Sequence, residues 1–135
     1  MNIILSIHPK WAKLIYEGKK TIEWRKSFPK SQKIDKVFLY ETAPVCKVTG
    51  LFYWKGTKNL IIRDPDYEGQ EICEEAKIVI KWGCVPLEDL KKYQGNNYKV
   101  FGWLCGLNEK FEKPRPLSDF ALKRPPQSWC YTEVA

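Results

Sequence analysis

The sequence predicts an α+β, mainly β fold of five or six short strands closing into a barrel-like shape, with a few short helices between them. Three observations predict it. Apolar and aromatic runs of strand length recur along the chain, broken by Gly, Pro and Asn punctuation. Stretches with helical period are few and short. Aromatic residues make up 14% of the chain, with six Trp and seven Tyr, which suits a β-structured core or surfaces on which flat ligands stack. A chain of 135 residues without a repeat or a linker-like tract is expected to form a single domain spanning residues 1–135.

Taken in order, Asn2-Ile3-Ile4-Leu5-Ser6-Ile7 is an apolar run that reads as a buried strand. His8 is a polar residue at a strand-helix junction, and Pro9 is suited to a first helical position. Trp11, Leu14 and Ile15 recur at helical spacing, so Pro9 to Glu17 is an amphipathic helix with Gly18 as its C-terminal cap. Thr21 to Arg25 follows as a short strand. Alternation puts Thr21, Glu23 and Arg25 on one face, with Ile22 and Trp24 on the other, and Lys20 in the turn just before it. Lys26 to Lys36 reads as a basic loop. Val37 to Tyr40 is a strand, Glu41 to Pro44 a loop, and Val45 to Trp54 a strand bulged at Gly50. Lys55 to Asn59 has turn chemistry, and Asn59 to Gly69 carries no clear pattern. Glu71 to Trp82 reads as a helix, as does Pro86 to Tyr93. Tyr98 to Leu107 is a strand with Gly102 and Gly106 as points of bulging or crowding. Phe111 to Pro126, with four prolines, is an irregular arm, and Gln127 to Val134 is a last strand. Trp11, Trp24, Trp82 and Trp103 are assigned to the core, while Tyr40, Tyr53 and Trp54 are candidates for stacking on a base.

Composition narrows the functional classes. Lys and Arg number 23 against 16 Asp and Glu, a formal net charge of +7, which favours a polyanionic partner, nucleic acid first. The five cysteines are odd in number, widely spaced and without a CxxC pair, so free thiols in a reducing cytoplasm are expected, most of them buried as small hydrophobes. No apolar run approaches the roughly 18 residues that span a bilayer, and no signal peptide opens the sequence. A single histidine, His8, excludes HExxH and other two-His zinc motifs, and no Gly-rich phosphate loop is present. No metal and no cofactor are expected.

What remains is the Lys20, Glu23, Arg25 set. Arg25 suits bidentate recognition of a phosphate or carboxylate, with Lys26 beside it. Glu23 accepts from base or sugar donors, or neutralises Arg25. Lys20, flanked by Lys19 and Arg25, is a candidate proton acceptor. A structural ion pair that orients Arg25 at the barrel mouth is the competing reading.

Gly18-Lys19-Lys20-Thr21-Ile22-Glu23-Trp24-Arg25 resembles the G-x-K-x-x-E-x-R signature of the ASCH domain family, within the PUA-like superfamily. Ile4 to Ile7 with Pro9 resembles the family's opening strand, in which the residue before the proline is commonly Lys and is here His8. Val37 to Val45 resembles its central strand and loop, and Pro126-Gln127-Ser128-Trp129 with Tyr131 resembles the ending of small bacterial and phage-type members. The resemblance implies a five- or six-stranded PUA-like pseudo-barrel with short helices at the rim and a basic cleft for RNA or a nucleotide. By position it carries over Gly18 as a structural residue and Lys20, Glu23 and Arg25 as cleft residues, with Ser6, Lys10, Tyr40, Thr42 and Ser128 as neighbours. Some members are described as ribonucleases. Another branch removes the acetyl group from N4-acetylcytidine and tends to carry Thr where this chain has Glu23.

Two functions follow as expectations. One is a module that binds RNA or a modified nucleotide through Ser6, Lys10, Lys20, Glu23, Arg25, Lys26, Tyr40, Thr42 and Ser128. The other is a small metal-independent hydrolase acting on RNA or on an acylated nucleoside. In it Lys20 is the base, Glu23 positions the attacker, and Arg25 with Ser128 stabilises the oxyanion.

Overall fold

Strand β1 (Asn2–Ile7) is apolar along nearly its whole length because both of its faces are covered. Ile3, Leu5 and Ile7 point into an inner core with Val37, Leu39, Phe52 and Trp103, roofed by helix α1 (Pro9–Tyr16) through Ala12 and Ile15. Ile4 points the other way, into an outer core with Phe38, Tyr40, Val48, Leu51 and Phe120. The structure is a computed structural model and describes residues 1–30, 33–60, 81–95 and 100–135.

The remaining strands are β2 (Ile22–Arg25), β3 (Lys36–Glu41), β4 (Lys47–Leu60), β5 (Val100–Arg115) and β6 (Trp129–Thr132). They form one six-stranded sheet in the order β2-β5-β4-β3-β1-β6. β1 runs parallel to β3, with Ile3 opposite Val37, and α1 begins the connection between them. The other pairs are antiparallel. The sheet curls into a half-barrel, so that its two edge strands come within side-chain reach of each other. Trp129 Nε1 donates to Ser27 Oγ at 3.0 Å, and Arg25 Nη1 donates to Ser128 Oγ at 3.2 Å.

Helix α1 starts at Pro9 and is followed by Gly18 in the left-handed region at φ 75°, a conformation in which a side chain would be strained. A second helix, α2 (Leu87–Gln94), lies against β2, where Leu90 packs with Ile22, Trp24 and Val100 in a third, smaller core. Gly102, opposite Trp24 in the register, leaves the room that indole needs: a Cβ there would lie 2.8 Å from Ile22 Cγ2 and 3.1 Å from Trp24 Cζ3.

Several sequence expectations are corrected. β4 does not end at Trp54 but continues through Lys55 to Leu60, absorbing the expected turn as a register irregularity around Gly56 (φ 104°). β5 likewise runs on to Arg115 through the first part of the expected irregular arm. The two strands hold each other extended over this whole length, and pairing outweighs the local turn chemistry of Lys-Gly-Thr-Lys. Trp82, assigned to the core, is 52% exposed. Cys46 is exposed, and Cys84, Cys105 and Cys130 are only partly buried, all four as free thiols. The expected helix over Glu71 to Trp82 lies outside the described residues except for Lys81 and Trp82, which are helical. Among the described residues, no helix is long and apolar enough to cross a membrane.

Candidate functional site

Strand alternation puts Glu23 and Arg25 on the inner face of β2, opposite Trp103 and Phe101 of β5. Lys20 precedes the strand in the turn after α1, where its backbone N–H donates to the Leu14 carbonyl at 3.1 Å. Its side chain is 1% exposed. The ammonium donates to the Gly83 carbonyl, lies 3.9 Å from Glu23 Oε2, and sits 5.1 Å from the centre of the Trp11 ring. On the other side, Arg25 Nε lies 3.5 Å from Glu23 Oε1. Glu23 is therefore held between two cations, and it is itself buried. Glu23 Oε2 and Arg25 Nε have no hydrogen-bond partner among the described residues. Arg25 spends its remaining nitrogens on the Ser6 carbonyl at 2.8 Å and on Ser128 Oγ.

These groups border a cavity of about 470 Å³, a size that accommodates a nucleotide-like ligand. Its charged wall is Glu23 and Arg25. Its apolar wall is Trp11 and Trp24 with Val85 and Leu90, and Tyr93 and Asp89 of α2 complete that side. Ser6, Ile7, His8, Thr42 and Gln127 complete the lining. His8 Nδ1 lies 3.3 Å from Thr42 Oγ1, so the hydroxyl fixes the ring's orientation at the rim. Burial pushes the Tyr93 phenol upward, an effect the Arg25 guanidinium partly offsets. Burial also pushes the Cys105 thiol up, and the nearby Glu23 carboxylate adds to it, which leaves that sulfur a poor nucleophile. Among the described residues no cluster of three or more His, Cys, Asp or Glu side chains is arranged to hold a metal ion.

Of the residues singled out in the sequence, the cavity brings together Ser6, Glu23, Arg25 and Thr42, with Ser128 one hydrogen bond away and Lys20 directly behind Glu23. Lys26 is exposed just outside, its ammonium 4.9 Å from the Tyr93 ring centre. Lys10 does not line the cavity; it is exposed, with its ammonium 4.6 Å from the Trp11 ring centre. Tyr40 is not a cleft residue. Alternation along β3 turns it with Phe38 into the outer core, where burial raises its pKa. His8, which the sequence marks only as a polar residue at a strand-helix junction, lines the cavity as well. Its signal was its position before Pro9, where a Lys is common in the resembling family. Asp89 and Tyr93 carry no local signal, because they reach the cavity only through the packing of α2 on β2.

The comparison that decides the family covers most of the chain: the model of the ASCH domain matches residues 5–115. The chain belongs to the ASCH domain family. One ASCH relative is described as "ASCH domain-containing ribonuclease", from Zymomonas mobilis subsp. mobilis. It is 38% identical over 50 residues, which is 37% of this chain and 34% of that protein, so the match spans about a third of the relative's length. The crystal structure of ASCH from Zymomonas mobilis superposes with a TM-score of 0.78 at 21% identity, covering 98% of this chain and 87% of that one. A single-residue variant of the same ASCH protein gives 0.78 at 20% identity, covering 98% and 90%. The fold is thus the ASCH/PUA-like half-barrel; of the four signature residues, Glu23 and Arg25 line its cavity, Lys20 lies behind Glu23, and Gly18 follows α1 in the left-handed region.

Proposed function

We propose that this ASCH protein cleaves single-stranded RNA without a metal ion, using the cavity to hold one nucleotide and its scissile phosphate. The observation that carries the reading is that a carboxylate, a guanidinium and an imidazole, those of Glu23, Arg25 and His8, line one cavity. These are the three kinds of group that phosphodiester transfer within RNA needs: a base, an anion clamp and an acid. The formal charge of +7 favours a polyanion, and the name of the Zymomonas relative points to RNA.

In this reading the Glu23 carboxylate accepts the proton of the ribose 2′-hydroxyl. The 2′-oxygen attacks phosphorus, the bond from phosphorus to the 5′-oxygen breaks, and protonated His8 gives its proton to that leaving oxygen. The product is a 2′,3′-cyclic phosphate, and the same pair with roles exchanged opens it with water. Arg25 bears the charge on the phosphoryl oxygens, turned towards them by Ser6 and Ser128. Lys20 holds Glu23 in position and is not itself the base, because its ammonium is spent on the Gly83 carbonyl and on the carboxylate. We take the chain as one domain acting in a reducing cytoplasm.

The test is incubation of the purified protein with single-stranded RNA oligomers in EDTA, followed by mass spectrometry of the ends. Cleavage leaving 2′,3′-cyclic phosphates, lost in Glu23→Gln, is the expected result. RNA left intact by a folded protein that still binds it would reduce the function to recognition of RNA or a nucleotide. Turnover that EDTA abolishes would remove the metal-independent mechanism.

A further inference from the structure

We infer that Trp129 and Tyr131 of β6 form a stacking platform for a nucleotide next to the one in the cavity, so that the preferred substrate is an unpaired strand longer than a dinucleotide. The inference rests on the RNA reading given above. β6 is an edge strand, and its odd residues face the inner side of the curl, where Trp129 pairs with Leu5 and Tyr131 with Ile3. Trp129 immediately follows Ser128, the residue that Arg25 Nη1 contacts at the cavity rim. Its ring meets the Tyr131 ring edge-on, with centroids 5.3 Å apart and an interplanar angle of 89°. Trp103, fully buried, backs Trp129 at 5.6 Å, and Ser27 Oγ fixes the indole through Nε1 at 3.0 Å. The Trp129 ring is thus held from two sides, while Tyr131 beside it stays 37% exposed, open to a flat ligand.

Charge selects that partner. Ser27 joins Lys26, exposed beside the cavity, to Phe28, over which the Lys30 ammonium lies at 5.4 Å. The segment that holds the Trp129 indole through Ser27 thus carries cations on both sides of Ser27 in sequence, one of them over a ring that lines the cavity. Aromatic faces beside flexible ammonium groups are the arrangement that takes single-stranded nucleic acid, because every base has a face to stack and every linkage a charge to neutralise.

The experiment compares kcat/KM for a dinucleotide and for a hexamer of the same RNA sequence, with wild type, Tyr131→Ala, Trp129→Phe and Tyr53→Ala. Wild type should favour the hexamer, and Tyr131→Ala should lower the hexamer-to-dinucleotide ratio about five- to a hundredfold, the worth of one stacked base. Trp129→Phe, which keeps a ring packed on Trp103 but gives up the Ser27 hydrogen bond, should lower it less. Tyr53, equally exposed at 38% but on the outer face, should leave the ratio unchanged. A wild type indifferent to length, or an equal loss in Tyr53→Ala, would overturn the platform while the RNA reading stands. A dimer in solution that Tyr131→Ala dissolves would assign the patch to a second copy and overturn it as well. A wild type that neither binds nor cleaves any RNA would overturn both proposals together.

Discussion

Arg25 Nη2 donates to the main-chain carbonyl of Ser6 at 2.8 Å, joining the edge strand β2 to β1, four places away in the sheet order. With the second bond, to Ser128 Oγ, one planar guanidinium closes the open side of the half-barrel and at the same time faces the cavity. Arg25→Lys keeps the charge but cannot make both bonds at once. Each charge-assisted bond is worth about 1.5–3 kcal/mol. We expect the substitution to lower stability by about 2 kcal/mol, read from urea unfolding. We also expect it to lower kcat by about 10²-fold as the anion clamp is lost. Wild-type behaviour in both measurements would mean that the guanidinium contributes neither closure nor charge stabilisation.

Glu23 and Lys20 should behave as one unit. Glu23→Gln removes a buried carboxylate between two cations and leaves the Lys20 ammonium, 1% exposed, with only the Gly83 carbonyl and the Trp11 ring. Breaking such a pair from one side costs on the order of 3–5 kcal/mol. Lys20→Met should cost a similar amount, and the double variant should be less unstable than the sum of the two by 1 kcal/mol or more, within the usual range of about 0.5–3 kcal/mol for contacting residues. Strict additivity in the double-mutant cycle would show that the two groups do not feel each other.

The signature edge was legible because alternation along Ile22-Glu23-Trp24-Arg25 is a local property, and β5 pairs with it in register. The inner and outer cores were legible as apolar runs, since β1 and β3 are buried on both faces. What was not legible depended on distant partners. Tyr40 follows the same alternation as Phe38, but which face of β3 meets the cavity is set by how the sheet curls. The turn chemistry at Lys55 to Asn59 lost to pairing with residues 100–105, more than 40 positions away. His8 follows β1 and Asp89 sits in α2 between β4 and β5, far apart in the chain, and no spacing rule links them.

The His8 side chain is exposed at the rim, with Thr42 Oγ1 at 3.3 Å as its hydrogen-bond partner among the described residues, so replacing the ring should matter little for stability. His8→Gln should leave the melting temperature within about 1–2 °C, as a surface change does. It should lower kcat for RNA by about 10²-fold or more if the imidazole is the acid. An RNA substrate with an activated leaving group at the 5′-oxygen position needs no such acid and should be cleaved by the variant at close to the wild-type rate. An equal loss on both substrates would remove His8 from the acid's role.

Alkaline pH should destabilise the fold through Tyr16. Its hydroxyl shares a 2.7 Å hydrogen bond with Thr49 Oγ1, and burial pushes its pKa well above the ordinary value near 10. The Thr49 bond opposes this shift and the Glu41 charge adds to it. Below about pH 10 the phenol is protonated in both states and its contribution is complete. Above that, the unfolded chain releases the proton and the folded one keeps it, so the unfolded state binds fewer protons and stability falls with rising pH. The slope from one such group is at most about 1.4 kcal/mol per pH unit. Urea midpoints measured from pH 8 to 11 should decline, and Tyr16→Phe should flatten the decline while lowering the plateau. A decline of the same steepness in Tyr16→Phe would assign it to other groups.

Gly83 sets how closely the segment leading into α2 approaches β2. A Cβ there would lie 2.1 Å from Trp24 Nε1 and 2.9 Å from its Cε2, too close for either side to keep its place. The Gly83 carbonyl is also the acceptor for the buried Lys20 ammonium, so a shift at this point moves the support of Glu23 as well as the apolar wall of the cavity. Trp24 is 4% exposed and packed between Ile22 and Leu90, which leaves it little room to yield. Gly83→Ala should therefore cost about 1–3 kcal/mol, the usual range for overpacking. It should also weaken RNA binding, whereas Gly18→Ala, at a left-handed position with nothing within 4 Å of its Cβ, should lower stability and leave the cavity's affinity alone. Equal effects of the two substitutions on affinity would mean that the spacing between β2 and the segment before α2 does not shape the site.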